Sequence, residues 1–330
     1  MKHAVWTTDG LSVEDVEPPA LPDGFVRLQV EACGICGSDL HFWTGHQHPA
    51  LATVPGHEFV GTILDAPAGV ADGRYAASPI VRCGTCEHCL AGEWNLCRRG
   101  GELIGMGRNG GLAEWVDVPL VNLVPLGDVG PEVGMLAEPM AVAVRGVGLA
   151  GLAADETVLV LGAGTIGLLA ALIAQRTSDK VVVSARYPHQ VAAAEALGLT
   201  TIAEADVIGW GKQQRPSAVI ETVGGTANTI NDAIKVAKRG GRVIVLGTFA
   251  QPSVDLFSAQ LKEVSITPSF AYGTRDGVDD FAEAAAVLAE HRDTLPTLIT
   301  HRFALDDVTT GFETALDKSS GAVKVAVVNG

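Results

Sequence analysis

The sequence predicts an α/β protein in which a β-rich domain is interrupted by a doubly wound parallel sheet. Three observations carry that expectation. At 330 residues the chain is longer than one hydrophobic core usually serves. Up to about Val124, Gly and Pro break the sequence every few residues around short apolar runs, the pattern of many strands joined by turns. From Thr157 onward, strand-like and helix-like segments alternate, as a parallel sheet with crossover helices requires.

In the first region the runs Phe25–Val30, Phe59–Leu64 and Ala113–Val118 read as strands, and Ala137–Leu152, small and apolar with few breakers, as a helix leading into the next unit. The alternation then runs as strand Thr157–Leu161, a helix from Thr165, strand Val181–Ser184, helix Gln190–Leu197, strand Ala218–Glu221, helix Ala227–Ala237, strand Arg242–Leu246 and strand Val264–Pro268. After Gly273 an amphipathic helix is expected to turn Val278, Phe281, Ala285 and Leu288 inward. A strand near Ile299–Phe303 follows, then a helix from Asp306 with Val308, Phe312, Ala315 and Leu316 inward, and a last strand Val323–Val328. These closing elements are expected to return to the first domain.

Composition narrows the function. Apolar residues make up 47% and charged residues 18%, with 39 Gly and 5% aromatics, which suits a compact α/β chain. Against 38 Asp and Glu stand 23 Lys and Arg, a formal charge of −15 that repels phosphate backbones and anionic lipid alike. Nucleic-acid and membrane partners are therefore not expected. The N-terminus lacks the apolar core of a signal peptide, so a cytoplasmic location is expected.

All six cysteines lie between Cys33 and Cys97. Cys83, Cys86, Cys89 and Cys97, with two, two and seven residues between them, can enclose one tetrahedral Zn²⁺ with no open position, a structural site. An iron–sulfur cluster competes, since short C-x-x-C-x-x-C runs also hold clusters, but no Pro follows Cys97. A second constellation begins at Cys36-Gly37-Ser38-Asp39-Leu40-His41 and continues at His57-Glu58. A thiolate, an imidazole and a carboxylate brought together can hold a Zn²⁺ that keeps one position open, with Asp39 and Glu58 available as ligand or anchor. Singly, each residue has a plainer reading as a buried thiol or a hydrogen-bonded imidazole.

Gly162-Ala163-Gly164-Thr165-Ile166-Gly167 follows one strand and opens a helix, the context in which such glycines cradle a dinucleotide pyrophosphate. The end of the next strand reads Ser184-Ala185-Arg186-Tyr187, with no acid to bind a ribose 2′-hydroxyl. Arg186 can instead pair with a 2′-phosphate and Ser184 can donate to it, so NADP(H) is favoured over NAD(H).

Together these residues resemble the zinc-containing medium-chain dehydrogenase/reductase family. The matching pieces are Gly34–Gly45, Val54–Gly61, the four-cysteine lobe, Leu136–Met140, Leu159–Leu169, Glu221–Gly225 and Ser319–Val328, in family order along nearly the whole chain. The segments Ala137-Glu138-Pro139 and Thr300-His301-Arg302-Phe303 are most similar to the sorbitol, glucose and threonine dehydrogenase branch. The resemblance implies a GroES-like catalytic domain over 1–143, with a zinc lobe at about 82–98, a Rossmann domain over 144–273 and a return over 274–330, the active site lying in the cleft between domains. It implies two zinc ions per chain. Cys36, His57 and either Glu58 or Glu138 match the catalytic ligands, the four-cysteine set matches the structural ones, and Cys33 is left as a spare thiol. Ser38 matches the hydroxyl that takes the alcohol proton and His41 the residue that passes it on. Gly162, Gly164, Thr165, Ile166, Gly167, Ser184, Arg186 and Val223 fall at cofactor-binding positions.

The resemblance implies a reversible oxidation of a secondary alcohol or polyol in a homodimer or homotetramer, paired through the edge strand near Val264–Thr267; with the Arg186 reading the expected enzyme prefers NADP(H). Departures from the family pattern are Ala271 where an Arg is usual before Tyr272 in the sorbitol type, a short loop over Leu64–Arg74, and the absence of the cofactor acid that NAD-linked members carry. Phe42, Trp43 and Trp115 are candidates for the substrate pocket. The rivals are an NAD-linked sugar or cyclitol dehydrogenase and, outside enzymes, a zinc-stabilised dinucleotide-binding regulatory protein.

Overall fold

The structure, a computed structural model, describes residues 1–45, 48–99 and 102–329. The chain divides into two compact units, Met1–Glu138 with Gly273–Gly330, and Pro139–Tyr272. In chain order, β1 (Lys2–Thr7) and β2 (Gly10–Asp15) form a hairpin, followed by β3 (Phe25–Gly34), α1 (Gly37–Trp43), β4 (Glu58–Asp65), β5 (Arg74–Ala77) and the one-turn helix α2 (Glu87–Leu90). Then come β6 (Trp115–Pro119), β7 (Leu123–Pro125) and α3 (Pro131–Gly134). Helix α4 (Ala137–Ala150) leads into β8 (Val158–Leu161), α5 (Thr165–Gln175), β9 (Val181–Ala185), α6 (Pro188–Ala196), β10 (Thr200–Ala203) and α7 (Val207–Gln214). The second unit continues with β11 (Ala218–Glu221), α8 (Thr229–Val236), β12 (Arg242–Val245), α9 (Leu256–Lys262) and β13 (Ser265–Pro268). The first unit resumes with the short ribbon β14 (Thr274–Arg275) and β15 (Val278–Asp279), then α10 (Asp280–Glu290), β16 (Ile299–Phe303), α11 (Val308–Leu316) and β17 (Lys324–Val328).

The first unit is built on a seven-stranded sheet, ordered β16-β17-β3-β4-β5-β7 with β6 also paired to β3. Val26, Leu28 and Val30 alternate along β3 and meet Val116, Val118, Phe59, Val325, Val327 and Phe312 in its core. The last strand thus pairs with one of the first, placing Ala326 opposite Gly34, while β4 on the other side places Glu58 opposite Gly34.

The second unit is a parallel six-stranded sheet ordered β10-β9-β8-β11-β12-β13. Its central strand, Val158-Leu159-Val160-Leu161, is buried along its whole length, as a strand covered on both faces must be. Strand order reverses beside β8, and the loop leaving β8 carries the glycine run.

Several elements depart from expectation. The expected domain boundary at 143/144 falls inside α4, because a continuous helix runs through the division at Glu138/Pro139; the second division lies at Tyr272/Gly273, against an expected 273/274. Strand β10 and helices α7 and α9 were not anticipated. Each is short, and β10 reads Thr-Thr-Ile-Ala, too weakly apolar to signal an edge strand. Val278 precedes α10 and is 48% exposed, so the inward face is Phe281, Ala284, Val287 and Leu288. Leu316 ends α11 at 40% exposure, since the helix stops before another turn can carry it inward. Among the described residues no helix is long and apolar enough to cross a membrane.

Candidate metal centres and nucleotide loop

Two elements of the first unit bring the Cys36, His57 and Glu58 constellation together. Cys36 caps the N-terminus of α1, Ser38 lies in the first turn, and His57 and Glu58 stand at the start of β4. One ligand atom from each of Cys36, His57 and Glu58 lies within 4.8 Å of the others, with His57 and Glu58 buried. The Ser38 hydroxyl donates to Cys36 Sγ at 3.1 Å and lies 3.4 Å from His57 Nε2. His41, one turn further along α1, is half-buried.

Asp39, fully buried, fixes this arrangement. Its Oδ2 accepts from the Cys36 amide at 3.0 Å, and its Oδ1 faces His57 Nδ1 at 3.6 Å. Both of those facing atoms lack a hydrogen-bond partner at that separation. Burial opposes charge on His57, but the charges of Asp39 and Cys36 outweigh it and raise its pKa well above the usual range. A site that raises an imidazole in this way carries an excess of negative charge, and a divalent cation on Cys36, His57 and Glu58 would neutralise it. The donor set, one thiolate, one imidazole and one carboxylate, suits Zn²⁺.

The carboxylate in this trio is Glu58. Glu138, in the first turn of α4, is buried nearby, and its charge is among those that raise Lys324. Lys324, 266 residues from Glu58, carries no sequence signal of its place here. Its ammonium is buried, forms an ion pair with Glu58 and donates to the Ile35 carbonyl at 3.2 Å. Burial works against that charge, but Glu58 and Cys36 offset it and hold the ammonium above its ordinary pKa. Cys33 is buried beside the trio, and burial first, then the charges of Asp39 and Glu58, push its thiol well up. It is a neutral packing group.

Cys83, Cys86, Cys89 and Cys97 converge in a lobe around α2, their sulfurs all within 4.8 Å of one another. All are free thiols, with Cys83 and Cys89 sulfurs 3.9 Å apart and Cys86 and Cys97 likewise 3.9 Å. The amides of Thr85 and Cys86 pull Cys83 down to about 5, whereas burial and the neighbouring thiols push Cys89 up to about 12. Four thiols this close cannot all ionise unless a cation sits among them, which is what a closed tetrahedral zinc site supplies.

In the second unit the glycines have separate tasks. Gly162, directly after β8, has φ +100°, a conformation that favours glycine. A Cβ on Gly167 would lie 1.9 Å from the Gly162 carbonyl, so only glycine lets α5 close onto the strand, while a Cβ on Gly164 would meet open space. Thr165 and Ile166 complete the first turn of α5, whose amides offer donors to a pyrophosphate. The Ser184 oxygen, 4% exposed, accepts from the Gly162 amide at 3.1 Å; it ties the turn to β9 and is not displayed at the surface. The loop after β11 is organised by Glu221, which accepts from the Val223 amide at 2.8 Å, the Gly224 amide at 3.1 Å and the Thr229 hydroxyl at 2.7 Å. This holds Val223 beside Gly162, where a Cβ on that glycine would come within 2.8 Å of it. The glycine cradle and its open side fit a dinucleotide.

Arg186, just past β9, is exposed and forms a two-pronged ion pair with Glu204, just past β10. Glu204, first, and then Tyr187 raise the arginine pKa, and Arg186 lowers that of Glu204. Glu204 is not legible in the sequence, because the short strand β10 that positions it is too weakly apolar to signal a strand.

The aromatic candidates each have packing partners within the first unit. Trp115 is buried under the Arg27 guanidinium, 4.7 Å from its ring centre, and Phe42 and Trp43 pack around Trp6 and Phe312.

Comparison with known proteins bears on both units. The alcohol dehydrogenase GroES-like domain matches residues 22–128, and the glucose dehydrogenase C-terminus matches residues 131–328. The L-galactonate-5-dehydrogenase of Escherichia coli K12 is 31% identical over 87% of this chain and 86% of its own. A zinc-binding dehydrogenase of Sinorhizobium meliloti 1021, solved with NADP bound, is 30% identical over 99% of both chains, with a TM-score of 0.89. An alcohol dehydrogenase of Escherichia coli CFT073, solved with NADH, is 27% identical over 100% of this chain and 99% of that one, with a TM-score of 0.88.

Proposed function

Because the chain belongs to the medium-chain dehydrogenase/reductase family, an oxidoreductase family acting on alcohols and polyols, we propose that it is a zinc-dependent dehydrogenase interconverting a secondary alcohol and its ketone with NADP(H). The observation that carries this reading is the buried trio of Cys36, His57 and Glu58 with the Ser38 hydroxyl at its edge. A zinc ion held by that trio, or by Glu138 in place of Glu58, would supply the Lewis acidity that lowers the pKa of an alcohol oxygen toward neutrality. A second zinc on Cys83, Cys86, Cys89 and Cys97 would stabilise the lobe.

The chain's own groups do the rest. Asp39 orients His57 and the Cys36 amide, so the ligand atoms are held before a metal arrives. Lys324 fixes the Glu58 carboxylate. The Ser38 Oγ takes the proton of the substrate hydroxyl, and His41, three residues on along α1, passes it to solvent. The glycine turn of residues 162–167 and Val223 hold the cofactor, and Arg186 pairs with its 2′-phosphate. A nicotinamide cofactor held there would supply the acceptor, or in reverse the donor, of the hydride exchanged with the alcohol carbon. Strand β13, at the edge of its sheet, would pair with a second copy in a homodimer or homotetramer.

A second reading, an NAD-linked sugar or cyclitol dehydrogenase, is favoured by the Glu204 carboxylate already on Arg186. The experiment is metal analysis by mass spectrometry with turnover measured on a panel of ketones and polyols using each cofactor. Two zinc ions per chain and faster turnover with NADPH are expected. A fully metallated chain with one zinc ion overturns the catalytic site, and faster turnover with NADH favours the second reading.

A further inference from the structure

At the end of β9 the sequence offers no acid, yet the fold delivers one. β9 and β10 run parallel in a register that sets Ala185 opposite Ala203, so the next residue on each, Arg186 and Glu204, stand side by side beyond the strand ends. The Arg186 amide is held by Gln190 Oε1 at 3.0 Å, and the same oxygen takes the Tyr187 amide at 3.2 Å, which anchors the base of the arginine side chain. Glu204 then takes two donors of the guanidinium, Nε and one terminal nitrogen, through both carboxylate oxygens.

We propose that Glu204 sets the cofactor preference of this chain by competing with a nucleotide 2′-phosphate for the Arg186 guanidinium. The inference rests on the reading of Arg186 as the 2′-phosphate partner. A carboxylate and a phosphate use the same fork of donors, so both cannot occupy the same edge of Arg186. A 2′-phosphate carries nearly two negative charges at neutral pH and would meet the Glu204 carboxylate at close range. NADH brings no such charge, and its 2′-hydroxyl can donate to that carboxylate. The ion pair is solvent-exposed at both side chains, so it holds little energy of its own and opens when a stronger anion arrives. The preference for NADPH is therefore smaller than Arg186 alone would give.

The test is binding, measured on the metal-loaded full chain by fluorescence titration of NADPH and NADH and by calorimetry of 2′,5′-ADP and 5′-ADP. Glu204→Gln keeps the shape and removes the charge. It is expected to raise affinity for NADPH and 2′,5′-ADP by about ten-fold while leaving NADH and 5′-ADP within two-fold. In an Arg186→Ala background the same substitution should give a clearly smaller gain, because the competition has no object and only the direct like-charge repulsion is relieved. If Glu204→Gln leaves the NADPH to NADH ratio unchanged while Arg186→Ala lowers it, the inference fails and the reading of Arg186 stands. An NADH affinity that falls with no gain for NADPH also overturns it, making Glu204 a ribose-hydroxyl acceptor only. If Arg186→Ala leaves the ratio unchanged, the reading of Arg186 itself fails.

Discussion

The ammonium of Lys324 and the carboxylate of Glu58 meet across Gly34, whose missing side chain leaves the space they occupy. Gly34 is the β3 residue opposite both Ala326 on β17 and Glu58 on β4, and a Cβ there would lie 2.2 Å from Glu58 Oε2. Both charged side chains are at most 4% exposed. A buried pair of this kind tolerates no intruding group, because each charge depends on the other for its solvation.

Gly34→Ala is accordingly expected to destabilise the chain by about 1–3 kcal/mol, the usual result of overpacking a filled interior. It should also lower zinc occupancy, since the displaced carboxylate belongs to the trio. Denaturant unfolding and metal analysis of the purified variant check both effects; an unchanged unfolding midpoint with full metal content would count against the tight fit.

Asp39→Asn keeps the size of a buried side chain and removes the charge facing His57. Loss of such an orienting carboxylate is expected to weaken zinc binding about 10- to 100-fold. Competition against a chromophoric chelator measures it, and affinity equal to the wild type would show that Asp39 does not orient the imidazole.

The two thiol sites should separate cleanly. Cys36→Ser is expected to cost at least about 100-fold in turnover while the chain stays folded, and Cys97→Ser to lower unfolding resistance and remove one zinc from the lobe. Zinc stoichiometry, turnover and thermal unfolding of each variant decide it. The reverse pattern would mean that the metal roles of the two clusters are exchanged.

Away from the metals, Glu156 accepts from Arg242 at 3.1 Å and from the Ala153 amide at 3.1 Å, with Lys238 at 3.8 Å. The Arg242 hydrogen bonds, ahead of the opposing effect of burial, hold its carboxyl below the usual range. A carboxyl whose folded pKa is depressed adds stability that is complete above the unfolded value, about 4.3, and fades as pH falls through the folded value. Glu156→Gln should therefore cost about 1–2 kcal/mol at pH 7, and the gap to the wild type should close as pH falls below about 4. Urea unfolding at several pH values reads it directly, and a gap that stays constant would refute the linkage.

What the sequence could disclose was what lies close together in it. The four cysteines of the lobe, the Gly162–Gly167 turn and the Cys36–His41 run each fall within fifteen residues, so spacing alone exposed them. Lys324 lies 266 residues from Glu58, and only the antiparallel pairing of β17 with β3 brings it there. Glu204 depends on the register of a strand too polar to be recognised. Apolar periodicity located α10 and α11 but extended their packed faces too far, because Val278, ahead of α10, and Leu316, the last residue of α11, match the helical repeat while staying exposed.

The division of the chain also orders its assembly in time. Pro139–Tyr272 is one uninterrupted stretch, and its parallel sheet is complete before any residue of β16 or β17 has been synthesised. Domains fold as units while a chain emerges, so the nucleotide-fold unit can finish early. The trio of Cys36, His57 and Glu58 is translated first yet waits for the last strand to deliver Lys324. Until then β3 has an open edge where β17 will pair, and a carboxylate destined for burial has no counter-charge. On the proposed reading, metal reaching those early ligands would meet an unfinished site, so loading of the trio would belong to the end of synthesis, while the cysteine lobe, whose candidate ligands all arrive within fifteen residues, would be able to fill at its beginning.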